Sequence, residues 1–351
     1  MVSLILPAGY RASLVLWILL TSSLLLLMVT TDNGRLAAQE PGQEYIPATS
    51  GLKVRVHQSK LRDSRRAKDL FVRVSSPEEK GVYPVIIWSH GMYGSKDNYQ
   101  PLAEHWTRHG YVVIQPSHSD SISLMTSEEK RKILTNFNLD KTEDWINRPR
   151  DVQFIIDSLS LLASGIPELS GRMDLKRIGV GGHSFGAVTT QLIAGTTPRL
   201  PAAGGLLADA RVKAFVAISP NGTGPFFSKD SLAQVAQPIL FISGDNDKGR
   251  HGEQAIWRRA AFDDARAGEK YLVWIRGAHH NFGGISGAPP ALSRLIGGRG
   301  GDNNEVQLQL VRVATLAFWD SCMKENRKAE AYLTGDGLIK FGRQELKMEH
   351  K

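Results

Sequence analysis

Arg177-Ile178-Gly179-Val180-Gly181-Gly182-His183-Ser184-Phe185-Gly186 passes from a short apolar strand pattern into a helical one, residues 184–193, with no loop between them. A serine flanked by glycines at such a junction is the pattern of a nucleophile elbow. The chain must turn sharply from strand to helix, and the glycines remove side chains that would collide in that turn. Five residues are a weak signal in a chain holding 34 glycines, so the position between strand and helix carries the argument. Ser184 is therefore the candidate nucleophile. Phe185, whose N–H opens the helix, is one candidate donor to a developing oxyanion.

Working outward, residues 53–56 and 70–74 alternate polar and apolar side chains and read as half-buried antiparallel strands. Residues 84–88 are continuously apolar, as in a buried central strand. Further strands fit residues 111–115, 177–181, 212–218, 238–243 and 271–275, and helices fit 97–108, 152–162, 184–193, 254–265 and 306–319. Strands alternating with helices predict an α/β fold: a mostly parallel, eight-stranded sheet with helices on both faces, opened by antiparallel strands.

A serine hydroxyl needs a histidine to take its proton, and the histidine needs a carboxylate to fix its tautomer and stabilise its charged form. Residues 237–243 lead into Gly244-Asp245-Asn246-Asp247, which offers two carboxylates at the end of a strand. Residues 271–275 lead into Gly277-Ala278-His279-His280, which offers two histidines. The chain order is Ser, Asp, His, as a sheet built around this elbow requires. A second oxyanion donor is expected after the third strand, where His90-Gly91-Met92-Tyr93-Gly94 nominates the Met92 N–H.

These segments together, with Ser95, Leu102-Ala103-Glu104-His105-Trp106 and Gly110-Tyr111-Val112-Val113, resemble the dienelactone-hydrolase-related esterases, which include platelet-activating-factor acetylhydrolases and bacterial polyester hydrolases. The resemblance covers residues 52–341. It implies the α/β-hydrolase fold, ester hydrolysis through an acyl-enzyme, and no cofactor. It also selects Asp247 over Asp245, because the acid in this family usually stands third after the glycine. His280 is selected over His279 by the Gly-Ala-x-His pattern. The Ser-Phe pair at the elbow is nearer the acetylhydrolase branch. Asn221 follows Ser219-Pro220 where polyester hydrolases tend to carry tryptophan, which speaks against a polyester substrate.

The remaining composition narrows the function classes. The net charge of +8 is scattered along the chain and forms no basic run, so nucleic-acid binding is not expected. Cys322 stands alone, which excludes an intramolecular disulfide. His279 and His280 are adjacent, not spaced as helix-borne zinc ligands, and no metal is expected.

Residues 1–38, with an apolar run over 12–29, read as an export signal peptide or an N-terminal membrane anchor. Residues 39–51 read as a linker, 52–342 as the catalytic domain and 343–351 as a charged tail. The expected protein is exported, secreted or periplasmic, with possible membrane association through that first segment. Residues 119–144 and 283–304 are expected to form a lid over the site. Asp151 is read as a charge in the first turn of its helix, and Arg148 as structural before a substrate clamp.

The expected partner is a small-molecule or lipid ester. A lipase or phospholipid acetylhydrolase is the alternative within the same chemistry. A non-catalytic binding protein on the same scaffold is the reading from another class, disfavoured because Ser, Asp and His all stand in place.

Overall fold

The computed structural model describes residues 45, 51–135, 142–199, 207–287 and 304–351. The expected signal or anchor segment, nearly all of the linker, and residues 136–141 and 288–303 of the expected lid lie outside the described residues. Among the described residues no helix is long and apolar enough to cross a membrane.

One sheet organises the described residues. Its strands are β1 (Val54–Asp63), β2 (Lys68–Pro77), β3 (Tyr83–Ser89), β4 (Val112–Ser117), β5 (Met173–His183), β6 (Val212–Ile218), β7 (Ile239–Asn246), β8 (Lys270–His279) and β9 (Leu346–His350), in the order β1-β2-β4-β3-β5-β6-β7-β8-β9. The pairs from β4 through β8 are parallel, whereas β1, β2 and β9 join antiparallel. This is the α/β-hydrolase fold, with nine strands among the described residues where eight were expected.

The central strands are apolar throughout because both faces are covered, and alternate residues divide between two cores. Ile86 and Trp88 of β3 face one side with Val113, Val216, Leu240 and Ile242. Val85 and Ile87 face the other with Val112, Ile114, Phe215 and Phe241. Over the first face lie α1 (Gln100–Arg108), through Leu102 and Trp106, and the long helix Glu305–Lys324, through Val311, Phe318 and Trp319. The second face is covered by helices Thr142–Asp157, through Val152 and Ile155, and Leu159–Gly165, through Leu159 and Leu162.

Three expectations change. The supposed charged tail contains β9, which pairs Leu346 with Ile275 and His350 with Tyr271. Leu346 is buried and Met348 packs on the core, so alternate side chains anchor this edge strand despite its charges. The expected helix 254–265 divides into a 3₁₀ segment, Ala255–Arg259, and one turn of α-helix, Ala260–Asp263. The helix carrying Asp151 begins at Thr142 and runs through Pro149, so Asp151 lies well past the first turn. Its charge answers to side chains, not to the helix terminus.

Candidate active site

Ser184 stands between the end of β5 and the helix Phe185–Ile193, with φ 58° and ψ −118°. A non-glycine residue held there is strained by roughly 1–3 kcal/mol. The elbow tolerates the strain because its neighbours fix it. The Ser184 N–H donates to the Ile218 carbonyl of β6 at 2.9 Å. A Cβ on Gly182 would stand 2.3 Å from the Gly186 carbonyl oxygen, and one on Gly186 would stand 2.0 Å from that of Ser89. Both glycines are therefore required by close backbone approach.

The structure brings Ser184, His280 and Asp247 into one hydrogen-bonded chain. The Ser184 hydroxyl lies 2.9 Å from His280 Nε2, and His280 Nδ1 lies 2.7 Å from Asp247 Oδ1. An ionised carboxylate only accepts, so the proton sits on Nδ1 and Nε2 is left free to accept from serine. Asp247 is fully buried, and its Oδ2 accepts from Ser219 Oγ at 2.6 Å and Ser243 Oγ at 2.9 Å. Burial alone would raise its pKa, but the Arg258 guanidinium, the His280 ring and the Ser219 hydroxyl outweigh burial and hold it well below the carboxylate range. Arg258 also donates to the backbone carbonyls of Asp247, Ser219, Pro220 and Lys248 at 2.8 to 3.0 Å, tying together the loops after β6 and β7. No motif or spacing in the sequence signals this arginine.

The alternates point elsewhere. Asp245 is exposed and accepts from Trp274 Nε1 at 2.7 Å and the Gly277 N–H at 2.9 Å. His279 ends β8, and the ring bonded to Ser184 belongs to its neighbour. Among the described residues, no group of three or more His, Cys, Asp or Glu side chains is arranged to hold a metal ion.

Neither candidate oxyanion donor's N–H has an acceptor among the described residues. Phe185 is the first residue of its helix, where no intrahelical acceptor exists. Met92 donates to no acceptor among the described residues. Beside them, Trp145 stacks against Phe185 at 4.8 Å and Phe226 at 3.9 Å between ring centroids, with Met92 packed on the same apolar cluster. Within this cluster Met92, Trp145 and Phe226 are half-buried, and Phe185 is buried.

His183, the variable residue of the elbow, is structural in a specific sense. Tyr99 Oη accepts the Gly91 N–H at 3.1 Å and donates to His183 Nδ1 at 2.9 Å. The opposite ring nitrogen then carries the proton and donates to the His280 carbonyl at 2.7 Å. Burial, with the nearby His280 adding to it, holds the His183 pKa far below the usual histidine value, so the ring stays neutral and this chain keeps one direction.

Behind the Met92 loop lies a buried polar network. His118 Nδ1 donates to Asp151 at 2.9 Å, and its Nε2 accepts from Ser89 Oγ at 2.9 Å. Arg66 and Lys68 reach Asp151 at 2.7 Å each. Burial would raise the Asp151 pKa, yet His118 and Lys68 outweigh it and bring it to about 2. A carboxyl depressed on folding stabilises the fold above its unfolded pKa near 4, and that contribution fades as pH falls toward the folded value. On the order of 2 kcal/mol of stability should therefore disappear between about pH 4 and pH 2. Asp120 and Asp247 act in the same direction. Denaturant titrations across this range should show the decline, and Asp151→Asn should be less stable at pH 7 with a flatter acid limb. An unchanged limb would assign acid sensitivity to other groups.

Two comparisons with known proteins fit this geometry. A family model for chlorophyllase matches residues 48–199, a span that holds the Met92 loop and Ser184 and stops before Asp247 and His280. The platelet-activating factor acetylhydrolase of Cavia porcellus is 23% identical over 277 residues, covering 70% of this chain. The chain spans 58% of the length of that curated relative. Taken with the sheet order and the strand-to-helix elbow, these likenesses support the α/β-hydrolase fold.

Proposed function

We propose that this protein is an exported serine hydrolase that cleaves carboxylic esters, with Ser184 as nucleophile, His280 as base and Asp247 as acid. The observation that carries the reading is the hydrogen-bonded chain from Ser184 through His280 to Asp247 on a strained elbow. His280 Nε2 takes the Ser184 proton as Oγ attacks the ester carbonyl, and the oxyanion settles toward the Met92 and Phe185 N–H groups. Collapse expels the alcohol, which leaves with the proton from His280. Water then repeats the sequence on the acyl-enzyme and releases the acid.

A second reading within this chemistry is a lipid acetylhydrolase. It is favoured by the guinea-pig relative and by the apolar surface of Trp145, Phe185 and Phe226 beside the serine. The apolar run over residues 12–29 would deliver the enzyme out of the cytoplasm or hold it at a membrane.

The test is hydrolysis of p-nitrophenyl esters from acetate to palmitate, beside labelling by a fluorophosphonate. Hydrolysis with a defined chain-length optimum supports the proposal. A maximum at acetate with activity on a 2-acetyl phospholipid favours the acetylhydrolase reading. A protein inert to every ester and to the probe sinks both.

A further inference from the structure

Arg148 is almost wholly buried, at 1% exposure, so it is not a clamp for substrate. Its guanidinium is spent on the loop that carries Met92. Nη1 donates to the His90 carbonyl at 2.5 Å, and Nη2 donates to the Gly91 carbonyl at 3.2 Å. Nε and Nη2 grip the two oxygens of Asp120 at 3.0 and 2.6 Å, a two-pronged ion pair. The face of the same group lies 4.2 Å over the Phe185 ring.

The partners of this ion pair bracket one residue. The Gly91 carbonyl belongs to the peptide unit whose N–H is that of Met92, and it also accepts from His90 Nδ1 at 2.6 Å and from the Gly94 N–H at 3.0 Å. The next peptide unit presents the Tyr93 N–H, which donates to Asp120 Oδ2 at 3.3 Å. Arg148 and Asp120 thus hold the planes on both sides of Met92. In a trans peptide the carbonyl and the N–H point in opposite directions, so fixing the Gly91 oxygen aims the Met92 N–H away from Arg148. Drawing electron density toward that oxygen also strengthens the N–H as a donor. His90 is buried, and burial together with the Arg148 charge keeps its pKa far below the usual value. Its Nε2 accepts the His118 N–H at 3.1 Å, which leaves Nδ1 to donate to Gly91.

We propose that Arg148, locked by Asp120, is the positioning residue for both oxyanion donors: it orients the Met92 peptide through the Gly91 carbonyl and seats Phe185 beneath its guanidinium. The inference rests on the esterase reading above, in which those two N–H groups stabilise the tetrahedral intermediate. A purely structural anchor could be apolar, since a buried ion pair by itself adds little to stability. What such an anchor would not supply is donors aimed at a carbonyl one bond from a catalytic N–H.

The test compares full-length wild type with Arg148→Lys, which keeps the charge and loses the planar fork. The readouts are kcat and KM for p-nitrophenyl acetate and the inhibition constant of a trifluoromethyl ketone. That carbonyl takes up Ser184 Oγ to give a hemiketal oxyanion, while the serine proton passes to His280. The expected result is kcat lowered about 10²-fold, KM within a few-fold of wild type, and the inhibition constant raised by a similar factor to the fall in kcat. Wild-type kcat and inhibition in a folded Arg148→Lys protein would overturn the proposal. So would a fall in kcat with the ketone unaffected. Should Arg148→Lys fail to fold, Asp120→Asn is read by the same pair of measurements, with a fall of roughly 10-fold or more expected in both, and parity with wild type overturning the idea. An inert wild-type protein is a separate outcome, which removes the esterase reading and this inference with it.

Discussion

Ser184→Ala is expected to lower kcat for p-nitrophenyl acetate by roughly 10⁴- to 10⁶-fold while changing KM little. The hydroxyl 2.9 Å from His280 Nε2 is the group that would form the acyl bond, and alanine at the elbow supplies no substitute. The Met92 and Phe185 N–H groups remain, so a residual rate above the uncatalysed one should survive through oxyanion stabilisation alone. The fold should tolerate the change, because Ser184 makes its structural bond through its backbone N–H to Ile218. Single-turnover assays and fluorophosphonate labelling give the answer together. A labelled Ser184→Ala protein, or one retaining a tenth of wild-type kcat, would mean that another nucleophile does the work.

Asp247→Asn should lower kcat by roughly 10³- to 10⁴-fold, against an Asp245→Asn control expected within about 2-fold of wild type. An amide presents an N–H as well as a carbonyl, so the His280 ring can take the other tautomer and turn Nε2 into a donor facing serine. That tautomer cannot accept the Ser184 proton. The contrast between the two asparagines is what discriminates, since Asp245 is occupied by Trp274 and Gly277. Asp247→Asn also deprives Arg258 of its buried carboxylate partner 3.1 Å away, so a lowered melting temperature is expected beside the kinetic loss. Equal effects of the two substitutions would remove Asp247 from the proposed chain.

How much of this was legible in the sequence depended on whether a residue's role lies along the chain or across it. Ser184 was legible because its neighbours in sequence are also its physical constraints. The acid was legible only to within two residues. Strand parity puts residues 245 and 247 on one side, but the β7–β8 register shifts between Gly244 and Asn246, and that irregularity separates the two carboxylates. The resemblance, not the spacing, favoured Asp247. The final strand was hidden because Lys347, Glu349 and His350 mask the alternation of Leu346 and Met348, a pattern too short to outweigh so much charge. Arg148 and Asp151 were legible as residues but not as parts of networks, and Arg258 was not singled out at all, since each meets its partners from a distant segment. No periodicity records that Arg148 touches His90 and Gly91.

The elbow's two glycines also bear on how such a protein can drift. With backbone oxygens 2.3 and 2.0 Å from where side chains would begin, positions 182 and 186 are closed to single-step exploration. Variation in the pentapeptide is channelled to positions 183 and 185, and each of these is answerable to a different loop. A change at His183 must be matched at Tyr99, which hydrogen-bonds it, and a change at Phe185 must be matched at Arg148 or Trp145, which pack on it. Lineages descended from this sequence should therefore alter the elbow in coupled pairs, and a library that randomises the pentapeptide alone should return few folded members.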